Sequence, residues 1–222
     1  MNPAIAPIIA IDGPAASGKG TLARRIADEL DFAHMDTGLL YRAVAHKVLE
    51  GRGNPDDPAT AIRAAESLAA AKSHSFLHNQ ELRSDLVAET AAKVAAIPDV
   101  RKILFTLQRS FATRPGAPYK GAVLDGRDIG TVICPEAPVK FFVTASPETR
   151  AERRLKELQS KGLAVTYEAV LRDMRERDAR DAERITKAAQ AGDAILLDTT
   201  DMTPDEALEF ALSVINERLP RS

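Results

Sequence analysis

GPAASGKGT occupies Gly13 to Thr21, just after the apolar run IIAI at Ile8–Ile11, and its last residue opens the segment TLARRIADEL. Three glycines in nine residues argue against the interior of a helix or strand, where each glycine gives up backbone entropy. Leu22, Ile26 and Leu30 then recur every four residues, which predicts an amphipathic helix. Strand, glycine loop, helix is the setting in which backbone N–H groups converge on an anion at a helix N-terminus. Lys19, between Gly18 and Gly20, would add a mobile charge for the outer phosphates of a nucleotide. In the general motif a Ser or Thr directly follows the lysine and reaches Mg²⁺. Here Gly20 stands in that place and Thr21 comes one later, so a direct hydroxyl–metal bond is not expected and no protein metal ligand is assigned.

Four further apolar runs read as strands: FAHM at Phe32–Met35, AVL at Ala122–Leu124, VKFFV at Val139–Val143 and AILL at Ala194–Leu197. All but the first of these are nearly continuous in apolar character, as in parallel strands buried on both faces. Helical patterns separate them, which predicts an α/β sheet built by crossovers. Ser146 before Pro147, and the capping box that starts at Thr203 and ends at Glu206, mark helix starts. Gly162 suits a helix end. The span between Met35 and Ala122 is far longer than one crossover needs. It opens with the turn-rich EGRGNPDDP and continues with Ala-rich helical segments around a strand-like piece at Ser75–Leu77, which together predict an inserted subdomain. His74 and His78 flank that piece and read as surface residues rather than a metal pair.

Composition narrows the function classes. With 222 residues and a net charge of −2, the chain gives no electrostatic reason to expect nucleic acid or an acidic membrane as partner. Cys134 is the one cysteine, so no intramolecular disulfide is possible, and a reducing, cytoplasmic setting is expected. No apolar run approaches the length of a membrane span, and MNPAIAPIIAID lacks the basic start of a signal peptide. A GTPase-type switch would need an Asn-Lys-x-Asp run, which none of the asparagines begins. A motor ATPase would need an acidic pair after an apolar strand, whereas Gly126 follows Asp125. Scattered arginines suit a second phosphorylated substrate instead. MDTGLLYR and LDGRDIGTV each follow a strand, where α/β sheets bind ligands, and supply Asp36, Arg42, Asp125, Arg127 and Asp128. Asp36 and Asp125 are candidates to orient metal-bound water.

IDGPAASGKGT, MDTGLLYR, LDGRDIGTV and RERDARDAER, in that order, make the chain resemble the bacterial cytidylate kinases over nearly its whole length. The resemblance implies a P-loop nucleoside monophosphate kinase fold, with a five-stranded parallel sheet flanked by helices. It further implies one kinase core over residues 1–222, a monophosphate-binding insert at 43–98 and a lid region at 158–187. The implied reaction passes a phosphoryl group from ATP to CMP or dCMP; another acceptor such as UMP is the alternative. Gly13, Pro14, Ala15, Ala16, Ser17, Gly18, Lys19, Gly20 and Thr21 would bind ATP, with Mg²⁺ held mainly by phosphates and water. Thr37, Arg42 and Arg127 resemble contacts to the acceptor nucleotide, and Asp128 with Arg101 resembles the pair that reads cytosine. Arg177, Asp181 and Arg184 match the lid motif, with Asp181 near the sugar; their spacing puts them on one helix face. The charge-transferring set would be Lys19, Arg127, Arg177 and Arg184. Where the family usually carries a serine, nine positions before Arg101, this chain has Ala92. A monomer acting on small molecules is expected.

Overall fold

Five strands, all parallel, form the sheet of the computed structural model, which describes residues 6–71 and 73–219. Met1–Ile5, part of the segment read for a signal peptide, lie outside the described residues. The strands are β1 (Ile8–Asp12), β2 (Ala33–Asp36), β3 (Ala122–Gly126), β4 (Val139–Thr144) and β5 (Ile195–Asp198), in the order β2-β3-β1-β4-β5. Each falls on an apolar run read as a strand. β1 and β3 are buried along their whole length, which explains why they read as continuous rather than alternating. Asp12 lies opposite Gly126 on one side and Phe142 on the other, so β1 and β3 end level and β4 runs on to Thr144. The crossover after β1 leads to β2 on one side and the connection after β3 leads to β4 on the other, so the crevice opens between the carboxyl ends of β1 and β3.

The helices are α1 (Lys19–Leu30), α2 (Thr37–Glu50), α3 (Pro58–Ala69), α4 (Asp85–Ala95), α5 (Pro98–Thr113), α6 (Pro147–Ser160), α7 (Tyr167–Ala189) and α8 (Pro204–Arg218). Leu22 and Ile26 of α1 join Leu208 and Ile215 of α8 in one core with Ile9, Ile11, Phe141 and Val143 of the sheet. Burying each such side chain contributes about 1.5–3 kcal/mol, which fixes α1 and therefore the loop that leads into it. Helix ends follow the sequence signals. Ser146 Oγ accepts from Thr149 N at 3.1 Å, and Thr203 and Glu206 close a reciprocal capping box. Gly162 adopts φ 78°, and Leu163 N donates to Leu158 O at 3.1 Å to close α6.

The chain divides into two compact units, one from Met1–Met35 with Ala112–Ser222 and the other from Asp36–Phe111. Within the first, α6 and α7 pack through Ala151, Leu158, Val170 and Met174. Within the second, α2 packs on α3 and α4 and buries Val44, Val48, Leu68 and Val94. Ser75–Leu77 is not a strand: Ser75–His78 forms a 3-10 turn, followed by another at Gln80–Arg83. The reason is local. Ser73 Oγ and Asn79 Oδ1 accept from Ser75 N and Glu81 N, at 3.1 and 2.9 Å, and so satisfy backbone donors a strand would offer to a ladder. His74 is also not simply a surface residue. It is half-buried in edge contacts with Phe76 and Phe111, and burial pushes its imidazole below the usual histidine range.

Candidate active site

The loop from Gly13 to Gly18 follows the last residue of β1. Gly13 has φ 152°, and a Cβ there would lie 2.0 Å from the Val143 carbonyl oxygen, so no other residue fits between β1 and β4. Ala16 and Gly18 are left-handed, at φ 58° and 87°, while the loop's carbonyls are engaged from outside. Arg150 Nη1 donates to Ala15 O at 3.3 Å, and Thr199 Oγ1 donates to Ser17 O at 3.0 Å. Arg153 in turn holds Thr199, at 2.9 Å to its hydroxyl and 2.6 Å to its carbonyl. Carbonyls tied back in this way leave the loop amides to form an anion nest. Gly18 caps α1 without any side-chain hydrogen bond, and Ser17 Oγ is buried with no partner. Lys19 Nζ folds back over the loop, 3.5 Å from Pro14 O. Arg150, Arg153 and Thr199 support the cradle, yet nothing in their spacing along the sequence announced it.

Two buried carboxylates flank the loop. Asp125, near the end of β3, shares a hydrogen bond with His34 Nε2 at 2.8 Å. A Cβ on Gly20 would lie 3.8 Å from Asp125 Oδ1, so the position that lacks a hydroxyl faces a carboxylate instead. Asp12, at the end of β1, accepts from Ile129 N and Gly130 N, both at 2.8 Å. Burial pushes its carboxyl up to about 6, against the opposing pull of those two N–H groups, and the like charge of Asp128 adds to the rise. The folded value lies above the unfolded 3.8, so this group favours folding most below about pH 4. That contribution, on the order of 3 kcal/mol, is lost as pH rises through about 6. Denaturant titrations of the wild type and Asp12→Asn should therefore give a stability difference that moves against the wild type between pH 4 and 7. A difference constant across that range would mean the carboxyl stays ionised throughout.

Arg127 Nε donates to Asp181 Oδ2 at 3.0 Å, and Arg184 pairs with the other oxygen of the same carboxylate. α7 thus carries Asp181 and Arg184 to the loop after β3. On the same face, Arg177 is held below the usual arginine range by burial, then by the guanidinium of Arg127 and, less strongly, that of Arg154. Arg154 pairs with Glu157 at 2.8 Å, but its Nε is buried without a partner. Arg177 thus faces two further guanidiniums, with Asp173 and Asp181 pulling the other way, a setting in which an anion would relieve the repulsion. Arg154 was missed by sequence reasoning because it sits in a run of charges with no distinguishing spacing.

The second unit gathers Thr37, Arg42 and Arg101. Asp36 caps α2 by accepting from Gly38 N at 3.0 Å, which places Thr37 as the first helical residue. Arg42 Nη1 donates to Leu82 O at 2.9 Å, which steadies the guanidinium on the 3-10 turn. Arg101 lies over the Tyr41 ring, 6.0 Å from its centroid, so α5 and α2 bring the two arginines onto neighbouring elements. Ala92 is an exposed residue of α4.

Residues 9–217 match the family model described as cytidylate kinase. The chain is 57% identical to a cytidylate kinase of Paramagnetospirillum magneticum over 213 residues, covering 95% of this chain and 98% of that one. It is 56% identical to the cytidylate kinase of Rhodospirillum rubrum over 209 residues, 94% of this chain and 96% of that one. The crystal structure of TT1252 from Thermus thermophilus shares the fold, with a TM-score of 0.52 and 20% identity over 98% of this chain and all of that one. Among the described residues no helix is long and apolar enough to cross a membrane.

Proposed function

The chain belongs to the cytidylate kinase family and is an ATP-dependent kinase that converts CMP or dCMP to the diphosphate; on that premise we propose how its residues divide the work. The observation that carries the proposal is a glycine loop with Lys19 in the same unit as Arg127, Arg177, Asp181 and Arg184. Gly13 to Thr21 bind the phosphates of ATP. The acceptor is already an anionic phosphate oxygen, so a strong general base is not needed. What opposes transfer is repulsion between two anions, and catalysis is mostly positioning and charge stabilisation.

Lys19 and the guanidiniums of Arg127, Arg177 and Arg184 supply that charge. Arg42 and Arg127 hold the acceptor phosphate, Thr37 contacts the acceptor nucleotide, and Asp181 serves its sugar. Asp128 and Arg101 read the base. Residues 43–98 act as the monophosphate-binding insert and 158–187 as the lid, which excludes water and limits wasteful hydrolysis. Asp125, whose carboxylate lies beside Gly20, would orient water on a magnesium ion that enters with ATP and is held mainly by phosphates and water. Such an ion would neutralise charge on the β- and γ-phosphates. The protein works as a cytoplasmic monomer. ADP formation coupled to CMP, dCMP and UMP in turn tests the assignment: turnover should be fast with the first two and weak with UMP, and equal use of UMP would overturn it.

Arg184→Ala should lower kcat by about 10- to 100-fold with KM for ATP nearly unchanged, because the lid arginine makes its best contacts in the reacting complex. Thermal unfolding should barely move, since the Arg184–Asp181 pair is part-exposed and an i,i+3 pair contributes only about 0.2–0.5 kcal/mol. A mutant with full turnover and an earlier melt would place Arg184 outside the reaction.

A further inference from the structure

Asp12 belongs to neither the loop nor the acceptor motifs, yet its carboxylate ties the two together. One oxygen takes the N–H of Ile129 and the other the N–H of Gly130, each at 2.8 Å, and the side chain is almost fully buried. These are the two residues that follow Asp128. They open a single π-helical turn, Ile129–Ile133, in which Val132 N and Ile133 N donate to the Asp128 carbonyl. Gly130 is packed against the stem of Lys140, whose Cδ would lie 3.1 Å from a Cβ there, so the segment is pressed between β4 and the carboxylate. The π turn follows the carboxyl end of β3, and the Asp12 clamp holds its first two residues.

We propose that Asp12 is a positioning residue for base recognition, which clamps the Ile129–Gly130 backbone so that Asp128 and Arg127 are presented to the acceptor nucleotide in one fixed arrangement. The proposal rests on the assignment of Asp128 to the base. An ionised carboxylate is the one side chain of this size that accepts through both oxygens at once. Asparagine keeps one acceptor and turns an NH₂ donor toward the other N–H. Protonation does the same to the aspartic acid itself. The charged groups that face Asp12 are Asp128, which favours its protonated form, and Arg127, which favours the carboxylate; Lys140 from β4 is turned away to Pro135 O and Asp193. With a carboxyl that titrates at about 6, the clamp is complete at neutral pH and loosens as the pH falls below that value.

The experiment compares kcat/KM for CMP and UMP across pH 5–8 in the wild type, Asp12→Asn and Asp128→Ala. The ratio of the two nucleotides cancels titration of their phosphates, which ionise near pH 6 in both. For Asp12→Asn, kcat/KM with CMP should fall about 10- to 100-fold and the CMP-to-UMP ratio about 10-fold, with KM for ATP within about 3-fold, as expected when donors are left unpaired at one end of a recognition loop. In the wild type the ratio should drop several-fold below pH 6, and in Asp12→Asn that step should vanish. If Asp12→Asn keeps the ratio and merely melts earlier, or weakens ATP and CMP use alike, Asp12 is structural and the proposal fails. Should the variant not fold, the wild-type profile decides alone, and a flat ratio overturns it. If Asp128→Ala itself keeps full selectivity, the assignment of the base reader fails first, and it does so independently of Asp12.

Discussion

Lys19→Ala is expected to yield a folded protein whose turnover is about 10²–10³-fold lower, equivalent to a loss of about 3–4 kcal/mol of transition-state stabilisation. The reasoning is geometric. Lys19 is the first residue of α1, half-buried, and its ammonium folds over the loop 3.5 Å from Pro14 O. The loop itself is shaped by other things, namely the absence of room at Gly13 and the ties from Arg150 and Thr199 to its carbonyls. On the proposed binding of ATP, truncation would remove a charge from the phosphates while the loop keeps the ties that shape it. The measurement is kcat under saturating ATP and CMP, with circular dichroism and a melting curve alongside. Near-normal kcat in a folded variant would detach the loop from phosphoryl transfer.

Asp128→Ala should abolish most of the preference for CMP over UMP. Cytosine offers an amino donor at N4 and acceptors at N3 and O2; a carboxylate accepts from the first and a guanidinium donates to the others. Uracil carries O4 and a proton on N3, so Asp128 would face a lone pair and Arg101 an N–H. Each mismatch leaves a polar group unpaired at roughly 1–3 kcal/mol, and two together give discrimination on the order of 10²–10⁴ in kcat/KM. Ala92, with no hydroxyl to add, favours the lower part of that range. The loss in Asp128→Ala should fall chiefly on CMP use. If both nucleotides serve the wild type equally, or the variant discriminates as before, the base is read by other residues.

The sequence by itself determined the five strands, most of the helix ends and the glycine loop between β1 and α1. Each is a local matter: a buried parallel strand needs a continuous apolar run, a cap needs its hydroxyl within three residues of its donor, and a tight loop with left-handed residues needs small side chains in series. Ser75–Leu77 misled because two apolar residues between serine and histidine satisfy a strand pattern and a 3-10 turn equally, and nearby serine and asparagine side chains settled the choice. Only the tertiary structure decided which distant residues meet. Tyr41 and Arg101 stack although they sit on different helices, and Arg127 reaches Asp181 across 54 residues. The Asp12 clamp is the clearest case, since its partners lie 117 and 118 residues away and are backbone N–H groups. Every residue except proline carries that donor, so no pattern of side chains can announce such a contact. It exists because β1 and β3 pair in a register that sets Asp12 opposite Gly126 and brings the following turn within reach of its carboxylate.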